Sequence, residues 1–180
     1  MNSYVALIRG INVGGKNPLP MKELTHALEG IGCHNVETYI QSGNVVFYSA
    51  CTAARLTEDI ADEIVRRQGF KPYVVVLEKS EFKRAVDNNP FPEGVSDPKA
   101  LHLAFLHAVL SSPALRDLEA LRAPSERFEL IGQVFYLFAP DGVGRSKLAA
   151  KREKVLGVPM TDRNWNTVSK IRSMLEERGK

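Results

Sequence analysis

A glycine-rich segment with two cations follows the first apolar stretch of the chain, which runs from Tyr4 to Ile8. Glycines let backbone N–H groups approach a bound group closely, and flanking cations favour an anion. The spacing matches only the GxxxxGK part of a P-loop, because Asn17 stands where Ser or Thr would bind magnesium and prolines delay the helix. The segment therefore predicts an anion-binding loop, or a loop with unusual backbone angles, but not a P-loop NTPase. Its candidate ligand-binding residues are Arg9, Gly10, Asn12, Gly14, Gly15 and Lys16.

A polar turn is predicted where two apolar segments meet, and its residues are Gln41, Ser42, Gly43 and Asn44. These residue types are common in turns for conformational reasons alone. In a β-α-β-β-α-β unit, however, the first two strands run parallel with the third between them, so their C-terminal ends share one edge of the sheet. This topology places the turn beside the glycine-rich loop. There Gln41 and Asn44 could recognise a polar ligand through paired donors and acceptors.

A second glycine-containing segment, DGVGRSK at 141–147, precedes a predicted helix. Ser146 can cap that helix, and Arg145 and Lys147 flank its N-terminus. A helix N-terminus attracts anions, whereas cations there oppose the helix dipole and cost stability unless an anion or an acidic side chain compensates. The segment therefore predicts either an anion site or a solvated basic helix face.

The last polar segment precedes the C-terminal helix and contains Arg163, Asn164, Trp165 and Asn166. Asp162 or Asn164 can cap that helix. Arg163 could bind an anion or pair with Asp162, and Trp165 is either a core residue or a stacking platform. These four residues complete the candidate ligand-binding set.

The sequence contains no motif of an established catalytic or cofactor chemistry. GxSxG, HExxH and GxGxxG are missing, and no carboxylate pair has a spacing suited to acid–base catalysis. His102 and His107 lie five apart on a predicted strand and point to opposite faces, so they cannot chelate one metal. Cys33 and Cys51 are too few for a disulfide framework or a cysteine-based zinc site. We therefore expect no metal and no cofactor, and we assign no catalytic residue.

Length and composition indicate an ordinary soluble globular protein of 180 residues, 44% hydrophobic and 25% charged. Apolar runs are far shorter than the ~20 residues of a membrane-spanning helix, and Arg9 interrupts the N-terminal apolar stretch, which argues against a signal peptide. These features predict a cytoplasmic protein without a membrane partner. The net charge of +3 is uneven, because residues 145–180 carry ten Lys/Arg against four Asp/Glu. This local excess suits an anionic partner, although a nucleic-acid-binding protein usually has a larger overall imbalance.

Hydrophobic periodicity predicts the order β-α-β-β-α-β twice, an α+β fold of two ferredoxin-like halves with mainly antiparallel sheets and an extra C-terminal helix. The first half covers 1–88, residues 89–100 form a linker, and the second half covers 101–180, all in one compact structural unit. Most strands are apolar on both faces, so both faces should be covered. The predicted strands are 4–9, 36–41, 44–48, 73–77, 101–107, 126–131, 134–138 and 158–161, and the predicted helices are 20–31, 53–68, 80–88, 113–121, 146–156 and 164–178.

Five motifs in this order resemble an uncharacterised, mostly bacterial family, domain-of-unknown-function family 1697 (DUF1697). They are LIRGINVGGKN at 7–17, TYIQSGNVVF at 38–47, NPFP at 89–92, DGVGRSKL at 141–148 and RNWNTV at 163–168. The resemblance covers nearly the whole chain. It implies a cytoplasmic α+β protein of two similar halves with no established activity, so no catalytic residue is transferred. The motifs coincide with the polar loops described above, which favours one shared surface.

The leading hypothesis is a non-enzymatic or regulatory protein that binds a phosphate-bearing ligand, either a nucleotide or nucleic acid, at these loops. One alternative is an enzyme that acts on a small anionic or phosphorylated substrate, although the sequence offers no clear proton-transfer group. The other alternative is a protein-assembly module, in which apolar strand faces pack against a partner. The sequence leaves open whether the chain is a monomer or a homodimer.

Overall fold

The computed structural model describes residues 1–178 as alternating strands and helices. The chain divides into two compact units: unit 1 comprises Met1–Arg84 and the chain from Ile171 onward, and unit 2 comprises Ala85–Lys170. The strands are β1 (Asn2–Arg9), β2 (His34–Tyr39), β3 (Asn44–Ser49), β4 (Tyr73–Glu78), β5 (Leu101–Leu106), β6 (Arg127–Ile131), β7 (Val134–Phe138) and β8 (Met160–Asn164). The helices are α1 (Met21–Gly30), α2 (Ala53–Gln68), α3 (Lys79–Asp87), α4 (Leu115–Glu119), α5 (Lys147–Leu156) and α6 (Trp165–Glu177).

Unit 1 contains a four-stranded antiparallel sheet in the order β2-β3-β1-β4. Val5 is paired with Val46 on one side and Leu77 on the other, which fixes the register of the central strands. Alternate residues of β1, including Ala6 and Ile8, pack into a core with apolar residues of α1 and α2. Val5 also faces away from that core and is fully buried, so both faces of the central strand are covered. Two-sided burial explains why its sequence is continuously apolar.

Local signals set the bounds of α2 in unit 1. The Thr52 hydroxyl accepts a hydrogen bond from the backbone N–H of Arg55 and so caps the first turn. Gly69 ends the helix with a φ of +78°, and its N–H donates to the carbonyl of Val65. The chain therefore turns into β4 at the position that the sequence predicts.

Unit 2 contains a second four-stranded antiparallel sheet, in the order β6-β7-β5-β8. Ala104 and Leu106 of β5 form a core with Phe135, Leu137 and apolar residues of α4 and α5. Residues 85–170 thus have the same strand order as unit 1. The mixed α+β fold with two antiparallel sheets, each with helices, agrees with the prediction.

Three elements of unit 2 differ from their predicted bounds. Helix α4 spans only Leu115–Glu119 and begins after Ala114, with no side-chain cap. It ends early because the chain turns at 120–126, where the Glu126 carboxylate accepts from the N–H of Ala123. Strand β8 extends through Asn164 because all five of its residues pair with β5. Residues 89–100, predicted as a linker, contain a 3₁₀ helix at Pro92–Ser96 and belong to unit 2, with Gly94 in contact with Leu101.

No helix among residues 1–178 is both long enough and apolar enough to cross a membrane.

Candidate ligand-binding loops

Two asparagines fix the base of the glycine-rich loop that follows β1. The Asn12 amide nitrogen donates to the carbonyls of Leu19 and Gln41, both at 2.9 Å, and its Oδ1 accepts from the N–H of Leu19 at 2.8 Å. The Asn17 amide nitrogen donates to the carbonyl of Gly10 at 2.8 Å. Both asparagines have positive φ, a conformation that this residue type tolerates better than most. The base of the loop is therefore held by side chains, and only its tip projects.

The tip of the loop is a tight turn from Val13 to Lys16 with two adjacent glycines. The N–H of Lys16 donates to the carbonyl of Val13 at 3.0 Å, and Gly14 and Gly15 have φ of +57° and +73°. Two consecutive positive φ angles define a turn that favours glycine at both positions. A Cβ at either glycine would meet no atom within 4 Å, and all four tip residues are exposed. The tip is therefore open to an approaching group.

The turn between β2 and β3 lies against this loop, as the topology predicts. The Asn12 amide reaches the carbonyl of Gln41, and the N–H of Ile8 donates to the carbonyl of Gly43 at 2.8 Å. This contact arises because β1 and β2 both run antiparallel to β3, so both end at the same edge. Gln41 and Ser42 are exposed there.

The side chain of Asn44 does not face solvent, which corrects its expected role in ligand recognition. Asn44 is 1% exposed, and its amide nitrogen donates to the carbonyl of Tyr39 at 3.0 Å and to the Ser42 hydroxyl at 2.9 Å. Asn44 thus closes the turn from inside. The Asn12 amide is likewise engaged with backbone groups, so both asparagines position the loops rather than present donors to a ligand.

Two residues that the sequence analysis did not single out flank the loop at the same edge. Tyr73, the first residue of β4, is 51% exposed, and the Arg9 guanidinium lies 5.6 Å from its ring centroid. Ile40 is 50% exposed with a φ of +50°, which is rare for a β-branched residue. The signal that could have identified Tyr73 is the strand order, because β4 begins beside the end of β1. This edge therefore combines an aromatic ring, apolar side chains and cations.

In unit 2, the two polar segments predicted near the C-terminus lie at one edge of the second sheet. They follow β7 and β8, which both run antiparallel to β5. The N–H of Ala139 donates to the carbonyl of Ala100, and the N–H of Trp165 donates to the carbonyl of Pro98, so both segments are bound to the chain that enters β5. Neighbouring strands are about 4.8 Å apart, which places the ends of β7 and β8 about 10 Å apart.

Helix α5 begins as predicted, with cations at its N-terminus. The Ser146 hydroxyl is buried and accepts from the N–H of Ala149 at 2.9 Å. Arg145 and Lys147 are exposed, and the first turn of the helix contains no acidic residue. The positive charge at this helix end is therefore not balanced within its first turn.

We expect Lys147→Glu to raise the melting temperature of the ligand-free protein. A carboxylate at the helix N-terminus interacts favourably with the dipole where a lysine does not, and the change is worth about 0.5–1 kcal/mol, or roughly 2 °C. Thermal unfolding followed by circular dichroism measures the shift. Lys154→Glu, in the last turn of the same helix, is the matched control and should lower the melting temperature. A lower melting temperature for Lys147→Glu would contradict the prediction.

The segment after β8 is held by hydrogen bonds to its own backbone. The Asn164 Oδ1 accepts from the N–H of Thr167 at 3.1 Å, so Asn164 caps α6. The Arg163 guanidinium donates to the carbonyl of Asp162 at 2.8 Å, and burial lowers the pKa of Arg163 to about 10 although the Asp162 charge raises it. Trp165 is half-buried and Asn166 is exposed.

Asp162 forms a buried ion network that the sequence analysis missed. Its carboxylate contacts the His102 Nδ1 at 2.7 Å and forms a salt bridge with Arg152, whose side chain is 7% exposed. Burial favours a raised pKa for Asp162, but the hydrogen bonds and charges of His102 and Arg152 outweigh burial and lower the pKa to about 2. The His102 Nε2 lies 3.0 Å from the carbonyl of Lys99, so both ring nitrogens are engaged. The network holds α5 against the sheet, and Asp162 is not the cap of α6.

Arg152 therefore differs from its exposed basic neighbours on α5. The spacing of α5 does indicate that Arg152 is on the buried face of the helix. Leu148, Arg152 and Leu156 recur every four residues, and all three are buried. Arg152 also lies over the Phe135 ring, 5.4 Å from its centroid. Among the residues that the structure describes, no group of three or more His, Cys, Asp or Glu is arranged to hold a metal ion.

These features define a class of mixed α+β protein in which two four-stranded antiparallel sheets carry glycine-containing loops at their edges. The family described as "Protein of unknown function (DUF1697)" matches residues 1–136, and the chain belongs to this family. Among solved structures, the conserved bacterial protein SP0830 from Streptococcus pneumoniae is 29% identical with a TM-score of 0.74, over 98% of this chain and 99% of that chain. No curated protein matches the sequence.

Proposed function

We propose that this chain is a cytoplasmic protein that binds a nucleotide, free or within a nucleic acid, at the glycine-rich loop of unit 1. The observation that carries the proposal is the open Gly14–Gly15 turn, which has no atom within 4 Å of either Cβ position and lies next to the exposed Lys16. Backbone N–H groups in such a turn and a neighbouring ammonium group together favour a phosphate.

The apolar part of the same edge favours a nucleotide over a simple anion. Tyr73 offers half of its surface to solvent beside Arg9, and Val13 and Ile40 are 68% and 50% exposed. An aromatic ring with a nearby guanidinium stacks bases of any sequence, and adjacent cations bind the backbone. Val13 and Ile40 provide further apolar surface for a base or a sugar. Several exposed apolar side chains at one edge of a sheet favour a partner with apolar surface of its own.

We propose a second phosphate contact at the corresponding edge of unit 2. Arg145 and Lys147 supply unbalanced positive charge at the start of α5, and Arg163 lies at the end of β8 on the same edge. A phosphate at the α5 N-terminus would offset the dipole penalty of these cations. This contact is a separate phosphate site within unit 2.

The experiment is a titration of labelled single-stranded RNA, duplex DNA and mononucleotides, followed by fluorescence anisotropy and calorimetry at several salt concentrations. Lys16→Ala is expected to weaken binding about tenfold, because one charge-assisted phosphate contact is lost. For an oligonucleotide, Lys16→Ala should also reduce by about one the number of counterions released on binding, which the salt dependence of the affinity measures. Tyr73→Ala should weaken binding of base-containing ligands by a similar factor.

Lys22→Ala is the control, because Lys22 is an exposed lysine of the same unit on α1. Equal affinity of the Lys16→Ala variant and the wild type would exclude the glycine-rich loop as the site. Equal losses in the Lys16 and Lys22 variants would indicate nonspecific attraction. Turnover of the bound nucleotide would replace a binding role with an enzymatic one.

A further inference from the structure

An open pocket of about 540 Å³ lies at the other edge of the unit 1 sheet, where β1 and α3 begin and β3 ends. Strand β1 has eight residues, so this edge is roughly 24 Å from the glycine-rich loop. We propose that this pocket binds a small phosphate monoester, independently of the function proposed above. Its lining residues are Met1, Asn2, Ser3, Tyr48, Glu78, Lys79, Ser80, Lys83 and Arg178.

Arg178 provides the strongest evidence for an anion in this pocket. Its side chain is 7% exposed, and its Nη2 donates to the carbonyl of Asn35 and to the Glu37 carboxylate. Its Nε and Nη1 are buried and have no hydrogen-bond partner. Buried guanidinium donors that lack acceptors are unfavourable, so an oxyanion at this position would stabilise them. Each of these two nitrogens can donate one charge-assisted hydrogen bond to an oxyanion, while Nη2 remains paired with Glu37.

The position of Arg178 is fixed by contacts to β2 and β3. The guanidinium lies 5.4 Å from the centroid of the Tyr48 ring, and the Tyr48 hydroxyl donates to the carbonyl of Arg178 at 2.6 Å. The ring packs against the guanidinium, and the salt bridge to Glu37 holds one end of it. The donors that remain are therefore preorganised, which reduces the entropy lost on binding.

Two lysines of α3 add positive charge to the same pocket. Lys79 and Lys83 are four residues apart, so they project from one face of the helix and repel each other. Lys79 is the first residue of α3, and the Glu81 carboxylate in the first turn of this helix accepts from the N–H of Glu78 at 2.9 Å. A bound dianion would offset the repulsion between the two lysines.

A hydroxyl group and the size of the pocket favour a phosphate monoester over a free ion. The Ser3 Oγ is buried without a hydrogen-bond partner and can donate to an anion or accept from a ligand hydroxyl. A volume of about 540 Å³ lies within the range of small-molecule sites and exceeds what a phosphate ion alone fills. The remaining space can hold a small polar group attached to the phosphate.

Isothermal titration calorimetry with ribose 5-phosphate, inorganic phosphate and ribose tests the proposal. We expect ribose 5-phosphate to bind more tightly than inorganic phosphate, and ribose not to bind. Lys79→Gln with Lys83→Gln should weaken ribose 5-phosphate binding at least tenfold. Lys151→Gln with Lys154→Gln, two exposed lysines of α5, is the matched control and should leave it unchanged.

Arg178→Lys tests the role of the unpaired donors, because it retains the positive charge but removes Nε and Nη1. It should weaken binding about tenfold. If this variant unfolds, the Lys79→Gln and Lys83→Gln double variant on the surface of α3 still tests whether the pocket binds ribose 5-phosphate. The Lys16→Ala variant should bind ribose 5-phosphate normally, which separates this site from the glycine-rich loop. Absence of binding at millimolar ribose 5-phosphate, or equal binding by the wild type and the α3 double variant, would overturn the proposal.

Discussion

Asp162→Ala is expected to lower the free energy of unfolding by about 3 kcal/mol. The substitution removes the partner of the buried Arg152 guanidinium and of the His102 Nδ1 in one step. An unpaired buried charge is far more costly than the intact pair is stabilising, because the remaining ion has lost its water as well as its partner. The expected effect is at the low end of the range for buried pairs because the Asp162 side chain is 27% exposed.

Urea denaturation followed by circular dichroism measures this loss, and a second variant identifies its cause. Asp162→Val combined with Arg152→Met removes both charges and should recover much of the stability, since apolar replacements of buried ion pairs are often nearly neutral. Removing only Asp162 should therefore lower the free energy of unfolding more than removing both Asp162 and Arg152. If the double variant is as unstable as the sum of the single variants, the pair is not energetically coupled.

The same network gives unit 2 an acid-sensitive component of stability. The folded-state pKa of Asp162 lies at about 2, below its ordinary value of 3.8, because His102 and Arg152 outweigh the opposing effect of burial. A carboxylate with a lowered pKa stabilises the fold above the unfolded pKa, and this contribution is lost as the pH falls from about 4 towards 2. The lost contribution is about 2 kcal/mol. In Asp162→Asn this part of the acid dependence should disappear.

Much of the fold and part of the first loop cluster follow from short-range sequence signals. Apolar periodicity and turn residues place the strands, and the strand order then brings Asn12 and Gln41 together. The Ser146 cap follows from its position before a helical stripe. These features depend on neighbours a few residues away, or on a topology with few alternatives.

The roles of individual polar side chains depend on contacts that spacing does not encode. Asn12 and Asn44 bind backbone carbonyls, so their partners leave no signature in the sequence. Arg178 contacts Asn35 and Tyr48 from more than 100 residues away. Arg152 is the exception, because its place in the apolar stripe of α5 was visible in the sequence. For a basic residue of α5, the sequence favours a solvated helix face over a buried charge. The partner of Arg152, Asp162, lies on another element.

Gly43→Ala is expected to lower the free energy of unfolding by about 3 kcal/mol, of which about 1 kcal/mol is backbone strain and about 2 kcal/mol is steric overlap. Gly43 has a φ of +77°, and a Cβ there would lie 2.8 Å from the Ile8 Cβ and 3.0 Å from the Ile8 carbonyl oxygen. Neither neighbour is the end of a flexible side chain. The turn must therefore move away from β1, which breaks the hydrogen bond from the Ile8 N–H.

Gly69→Ala separates the two contributions. Gly69 has nearly the same φ, +78°, but a Cβ there would meet no atom within 4 Å, so only the backbone strain of about 1 kcal/mol applies. Thermal unfolding should show that Gly43→Ala lowers the melting temperature by roughly 6–12 °C and that Gly69→Ala lowers it by about a third as much. Displacement of the turn also withdraws the Gln41 carbonyl from Asn12, so Gly43→Ala should weaken nucleotide binding while Gly69→Ala leaves it intact. Equal losses of stability in the two variants would mean that the turn adjusts without cost, and the close packing of Gly43 on β1 would then not be what positions the glycine-rich loop.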